Sequence, residues 1–120
     1  MSRPPLSRQQ IQELVRQYAD QFQVPYPLAI SVLEQESDYF PLAESEAGAK
    51  GLMQLMPLLI KEYEVKNPFD EEESVRAGVE HLGYLFNIYD GDPRRTLAAY
   101  FAGETDVNKA QGLGDLGPLT

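Results

Sequence analysis

Hydrophobic residues recur every three to four positions near the start of the chain, which is the spacing of an amphipathic helix. Ser7 and Gln10 stand in front of this stripe in the arrangement of a capping box, which predicts that the helix begins there. The stripe consists of Ile11, Leu14, Val15, Tyr18, Ala19 and Phe22. Pro25 and Pro27 then end this helix and start a second one.

The second predicted helix, residues 27–37, carries an acid on its apolar face. Ala29, Val32 and Leu33 lie at positions i, i+3 and i+4 of one stripe, and position i+7 of that stripe is Glu36. Desolvation of a carboxyl group at such a position favours the protonated form, which a general acid needs. Glu36 is therefore the first candidate for a catalytic residue.

The stretch after this helix is predicted to be irregular. Pro41, Gly48 and Gly51 favour a loop with a tight turn or a minimal hairpin. A helix is expected to restart around Leu52, and another is expected over residues 57–63.

One long and one short helix are predicted in the second half of the chain. Asp70 is the expected N-cap of a helix that reaches Tyr89, because three glutamates follow it and apolar residues then continue at helical spacing. Gly91 ends this helix, and Gly103 is expected to end a short helix over residues 96–102.

The chain has 120 residues and 42% hydrophobic content, which is the size of one small domain with a single core. No alternating pattern of useful length predicts a strand. We therefore expect a mainly α fold of about six helices, a single domain over residues 1–120 and a monomer.

Composition excludes several classes of function. The chain has no cysteine and one histidine, His81, so we predict no metal and no cofactor, and His81 is interpreted as a residue at the edge of the core. The formal charge of −9 argues against nucleic acid as a partner. Neither the apolar segment of a signal peptide nor a run of transmembrane length is found, so we expect no membrane insertion.

Three separated blocks together resemble the soluble lytic transglycosylase family. They are Glu36-Ser37, residues 45–57 with the sequence SEAGAKGLMQLMP, and residues 98–103 with the sequence AAYFAG. The blocks occur in the family's order and spacing. The resemblance implies a lysozyme-like domain, of the kind found in goose-type lysozyme, that cleaves peptidoglycan of the cell wall, in the envelope or delivered by a phage.

The resemblance also implies a reaction. Glu36 matches the family's catalytic acid, which protonates the glycosidic oxygen and then, as a carboxylate, takes the proton of the sugar's own 6-hydroxyl group. That hydroxyl attacks the anomeric carbon, so the bond between N-acetylmuramic acid and N-acetylglucosamine is broken without water and a 1,6-anhydro end forms. Tyr100 matches the tyrosine that orients the acid.

Six further residues match family positions that contact the substrate. They are Ser37, Ser45, Met53, Gln54, Met56 and Phe101. Ser45 matches a serine near the reacting N-acetyl group, and Gln54 and Met56 match residues that line the glycan groove. Taken singly, each of these residues has an ordinary alternative as a turn, surface or core residue.

The chain departs from the family at three places. Phe101 follows the tyrosine where the family has asparagine, and Ser74 stands near another family asparagine. The chain also ends at residues 112–120, where the family usually continues into another helix, so the domain is expected to have an open groove or to be part of a longer parent.

Other functions stay open at this point. A hydrolytic muramidase on the same fold would use Asp38, Glu44 or Glu46 to position water opposite Glu36. The Phe101 departure and the acidic surface suit a glycan-binding module without turnover. A helical protein-interaction domain would require the three blocks to be coincidental.

Overall fold

The structure is a computed structural model that describes residues 4–105. The predictions for residues 112–120 lie outside the described residues. The described part is mainly helical, as predicted. Its helices are α1 (Arg8–Gln21), α2 (Tyr26–Glu36), α3 (Pro57–Glu62), α4 (Glu71–Ile88) and α5 (Pro93–Thr105).

The two N-caps predicted from the sequence are confirmed. Ser7 Oγ accepts a hydrogen bond from the backbone N–H of Gln10 at 3.1 Å, and the Ser7 N–H donates to Gln10 Oε1 at 2.8 Å, which completes the capping box of α1. Asp70 caps α4 in a similar way, because its Oδ2 accepts from the Glu73 N–H at 3.0 Å. Both helices therefore begin where their local sequence places them.

Three helices end in the same motif on residues other than glycine. Gln23, Glu64 and Asp90 adopt positive φ angles of 59°, 54° and 54° directly after the C-caps of α1, α3 and α4. At each end the N–H of the next residue donates to the carbonyl five residues earlier, in the last helical turn, as in a Schellman motif. These helix ends are hard to predict from the sequence, because the left-handed residue after a helix is usually glycine.

The prediction of a helix that restarts around Leu52 is wrong. Residues 51–54 form turns, since Gly51 and Gln54 have φ angles of 83° and 52° that no right-handed helix contains. The expected end of α5 at Gly103 is wrong as well. Gly103 stays helical and α5 continues to Thr105, because glycine ends a helix only where it turns left-handed.

The core forms where α1 packs against α2 and α4 and where α5 packs against α4. The stripe predicted for α1 contributes Ile11, Val15 and Ala19, each at most 1% exposed. Val32 and Leu33 of α2 are fully buried in the same core. The apolar face of α2 is therefore fixed, and with it the position of the residue that ends this helix.

The loop between α2 and α3 is a minimal hairpin, as predicted. Two isolated antiparallel bridges join Glu44 to Lys50 and Lys50 to Leu55. The N–H of Gly51 also donates to the carbonyl of Ala43 at 2.8 Å, so the chain folds back on itself twice within a short segment. None of the helices in the described range 4–105 is long and apolar enough to cross a bilayer.

Candidate active site

Glu36 is the last residue of α2, at the point where the core face of the helix meets the loop. Its side chain is half-buried, and its Oε2 atom is shielded from solvent. Ser37 follows as the C-cap, and its hydroxyl group donates to the carbonyl of Leu33 at 3.2 Å. Ser37 therefore covers the end of the helix that carries the acid.

The chain reverses direction directly after this helix. Asp38 and Tyr39 have φ angles of 47° and 69°, and two left-handed residues in succession are costly unless other contacts fix them. The Tyr39 hydroxyl donates to the Glu34 carboxylate at 2.7 Å and accepts from the Gln12 amide at 3.1 Å. The Arg8 guanidinium lies 4.3 Å from the centre of the same ring. These contacts hold the segment after the acid against α1 and α2.

Gln54 holds the hairpin together from inside. It is 6% exposed, and its Nε2 donates to the carbonyls of Ala43 at 3.1 Å and Gly51 at 3.0 Å. A glutamine amide has two N–H donors, so both are used within the loop. Its Oε1 atom is the part of the side-chain amide that remains to accept a hydrogen bond from a ligand.

The peptide groups of Met53 are held by side chains from two other helices. Ser74 Oγ, on α4, accepts from the Met53 N–H at 3.1 Å. The Tyr100 hydroxyl, on α5, donates to the Met53 carbonyl at 2.8 Å. The Met53 side chain is fully buried against Gly78, so it packs in the core and is not exposed to a ligand.

A cavity of about 340 Å³ lies between the hairpin, α3, α4 and α5. The residues of its wall that matter below are Gln54, Met56, Tyr63, His81, Tyr84 and Tyr100. Three residues predicted from the sequence, Gln54, Met56 and Tyr100, are thus brought together. Among the described residues, Glu36, Ser37 and Ser45 do not belong to this wall.

Ser45 and Phe101 lie beside these elements with contacts of their own. Ser45 is exposed, and its Oγ accepts from the Ala49 N–H at 3.0 Å in the hairpin turn, which leaves its O–H available to donate. Phe101 is half-buried, with its ring edge-on to Tyr100 at 6.3 Å between centroids. Both positions agree with an ordinary structural role as well as with a site.

The cavity wall also contains residues that the sequence did not single out as functional. His81 Nδ1 lies 3.1 Å from the Tyr63 hydroxyl, and the His81 ring is 5.9 Å from the Tyr100 ring. Tyr84, one helical turn after His81, stacks on its ring at 6.1 Å. The spacing of His81 and Tyr84 puts them on one helix face, but only the tertiary packing of α3 on α4 brings in Tyr63.

Burial lowers the pKa of His81 from 6.5 to about 4, so the imidazole is neutral at neutral pH. The pKa of Tyr63 is raised to about 12, first by burial and then by the neighbouring Glu62 and Glu80 carboxylates and Tyr84. Tyr63 therefore keeps its proton. The two residues form an uncharged hydrogen-bonded pair.

The depressed pKa of His81 predicts acid-dependent stability. The unfolded state binds a proton at His81 below about pH 6.5 and the folded state only below about pH 4, so the free energy of unfolding falls as pH drops through this window. The loss should approach about 3 kcal/mol. Urea unfolding at pH 7, 5.5 and 4 measures it, and His81→Phe should remove this part of the decline. Equal declines in the parent and the variant would contradict the assignment.

No group of three or more histidine, aspartate or glutamate side chains suited to a metal ion occurs within residues 4–105. The candidate residues comprise one half-buried acid, a braced hairpin, and a cavity whose wall includes aromatic and polar side chains. The acid can transfer a proton, and the cavity can bind a neutral ligand.

The sequence is similar to proteins of one family. The sequence model of the transglycosylase SLT domain matches residues 13–114. The chain is 36% identical over 104 residues to the membrane-bound lytic murein transglycosylase F of Desulfosudis oleivorans, covering 82% of this chain and 23% of the relative. It is 34% identical over 88 residues to a transglycosylase of Enterobacteria phage PRD1, covering 73% of this chain and 33% of the relative.

Comparison with solved structures gives the same fold. The 70 kDa soluble lytic transglycosylase of Escherichia coli superposes with a TM-score of 0.68 at 27% identity, covering 87% of this chain and 18% of that chain. The predicted lysozyme-like class is thereby confirmed. The chain spans a third or less of the length of each of these relatives.

Proposed function

Because the chain belongs to the transglycosylase SLT domain family, we propose that it cleaves the β-1,4 bond between N-acetylmuramic acid and N-acetylglucosamine in peptidoglycan, leaving 1,6-anhydromuramyl ends. The observation that supports this most is the half-buried Glu36 at the end of α2, in the family's register with the hairpin. The chain would act on the cell wall, as a monomer.

Glu36 would act twice in this reaction. Its protonated carboxyl group gives the proton to the glycosidic oxygen as the bond from that oxygen to the anomeric carbon breaks. The resulting carboxylate then takes the proton of the muramyl 6-hydroxyl while its oxygen bonds to the anomeric carbon. The proton count balances without water, and Glu36 is again protonated for the next turnover.

Tyr100 would orient Glu36. Its hydroxyl group donates to the Met53 carbonyl at 2.8 Å, which fixes the phenol beside the hairpin. We propose Tyr100 as the orienter of Glu36 on the ground of the family resemblance.

The predicted substrate-binding residues would take different roles, according to whether their side chains are exposed or buried. Gln54 and Met56 would contact the glycan from the cavity wall, Gln54 through its Oε1 atom. Ser45 would donate its free O–H near the N-acetyl group. Ser37 would act indirectly, by capping the end of α2, the helix that carries Glu36. Met53, with its side chain buried, would contribute through its braced peptide groups rather than by side-chain contact.

The products of peptidoglycan digestion test this function. Purified sacculi incubated with the chain should release muropeptides whose masses are one water lower than those made by a hydrolytic muramidase run in parallel. The reason is that the 6-hydroxyl, and not water, closes on the anomeric carbon. Mass spectrometry separates the two. Release of reducing ends alone would establish hydrolysis, and the absence of any soluble product would refute cleavage.

A further inference from the structure

Tyr63, His81 and Tyr84 are among the residues of the cavity wall that have no part in the proposed reaction. They share this wall with Gln54 and Met56, which the family resemblance places on the glycan. We propose that Tyr63, His81 and Tyr84 form a binding surface for one N-acetylglucosamine unit of the glycan strand. The identity of the sugar rests on the proposed function, whereas the surface itself rests on the geometry.

Tyr84 supplies the apolar part of this surface. It is 59% exposed although it is a large aromatic residue, and its ring lies 22° from parallel with the His81 ring behind it. The stacking of His81 on Tyr84 fixes the orientation of a ring whose outer face remains open. A flat aromatic face beside a cavity is suited to the C–H face of a pyranose.

The Tyr63–His81 pair supplies the polar part. Because burial lowers the pKa of His81 to about 4, the pair is uncharged and can exist in two arrangements. Either Tyr63 donates to Nδ1, or Nδ1–H donates to the Tyr63 oxygen and the Tyr63 proton turns outward. The pair can thus offer a donor or an acceptor, as sugar hydroxyl and acetamido groups require. It has no net charge with which to bind an ion.

A negative charge at the rim of the cavity favours one of the two sugars of the strand. Glu62 is exposed on α3 and borders the same cavity. N-acetylmuramic acid carries a lactyl group with a free carboxylate or an acidic stem peptide, which this carboxylate repels. N-acetylglucosamine is uncharged. The volume of about 340 Å³ is at the low end for ligand clefts, which suits a single sugar unit and not a long segment.

Binding of tetra-N-acetylchitotetraose, measured by calorimetry in a Glu36→Gln background that prevents turnover, tests the surface. Tyr63→Phe should weaken binding roughly five-fold, the loss typical of one hydrogen bond, and Tyr84→Ala should weaken it by at least as much. Tyr89→Phe changes the C-cap tyrosine of α4, which lies outside the cavity wall, and should leave binding unchanged. In the Glu36 parent, Tyr63→Phe should raise KM for glycan strands and leave kcat within about two-fold.

The outcomes separate this inference from the proposed function. No detectable binding of the tetrasaccharide, or equal binding by the parent, Tyr63→Phe and Tyr84→Ala, overturns the surface even if sacculi are cleaved. Weakening by Tyr89→Phe to the same degree also overturns it. If the two cavity variants weaken binding while the parent releases no anhydro products, the surface stands and the proposed function fails. Tyr84 is exposed, so its variant remains informative even if Tyr63→Phe disturbs folding.

Discussion

Glu36→Gln is expected to lower the initial rate of anhydro-muropeptide release by about 10³-fold, since it removes the proton donor and the later proton acceptor together. The substitution keeps the size and shape of the side chain at the end of α2, so the fold should be retained. Chromatography of soluble products from purified sacculi gives the rate, and circular dichroism checks the fold. A folded variant with more than about a tenth of the parental rate would exclude Glu36 as the acid.

Carboxylates of the loop provide the matched controls. Glu46 is exposed in the hairpin, and Glu44 forms a surface ion pair with Lys50 at 3.5 Å. Without a water to activate, neither group is needed, so Glu46→Gln and Glu44→Gln should stay within about two-fold of the parental rate. A loss near that of Glu36→Gln, in either variant or in Asp38→Asn, would instead favour the hydrolytic muramidase.

Gly51→Ala is expected to lower the free energy of unfolding by about 3 kcal/mol or more. Gly51 has a φ angle of 83°, and a Cβ atom there would lie 2.0 Å from the carbonyl oxygen of Pro68. That oxygen belongs to the backbone, so one of the two segments must move. Its movement would disturb the hydrogen bond from the Gly51 N–H to Ala43 and the contact of Gln54 with the Gly51 carbonyl. Urea unfolding measures the change.

Gly48→Ala is the control for this substitution. Gly48 also has a positive φ angle, 98°, but a Cβ atom there would meet nothing within 4 Å. Only the backbone strain remains, so the expected loss is about 1–2 kcal/mol. Equal losses in the two variants would show that the close approach of the hairpin to Pro68 does not matter.

The helices could be predicted as far as their determinants are local. The capping box of Ser7 and Gln10 and the N-cap of Asp70 involve contacts three residues apart, and both were found from sequence. The turn at Leu52 could not be predicted, because apolar residues at helical spacing there are buried by distant elements. Ser74 from α4 takes the Met53 N–H that a helix would have used within itself.

The candidate site, too, could be predicted only where its determinants are local or match a family motif. Glu36 was found because an acid on the apolar stripe of α2 is a local irregularity, and the grouping of Gln54, Met56 and Tyr100 followed from a family resemblance. The sequence pattern places His81 at the edge of the core, and the structure finds it half-buried there. Its part in the cavity depends on α3 packing beside α4, a contact between elements that no periodicity in either helix encodes.

The central claim is that the glycosidic bond is broken without water, and digestion of sacculi in oxygen-18-labelled water tests it most directly. The muramyl 6-oxygen should become the bridging oxygen of the product, so mass spectrometry should find no label at the new muramyl ends. Uptake of one labelled oxygen at each new end would contradict the account and show that the chain is a hydrolase.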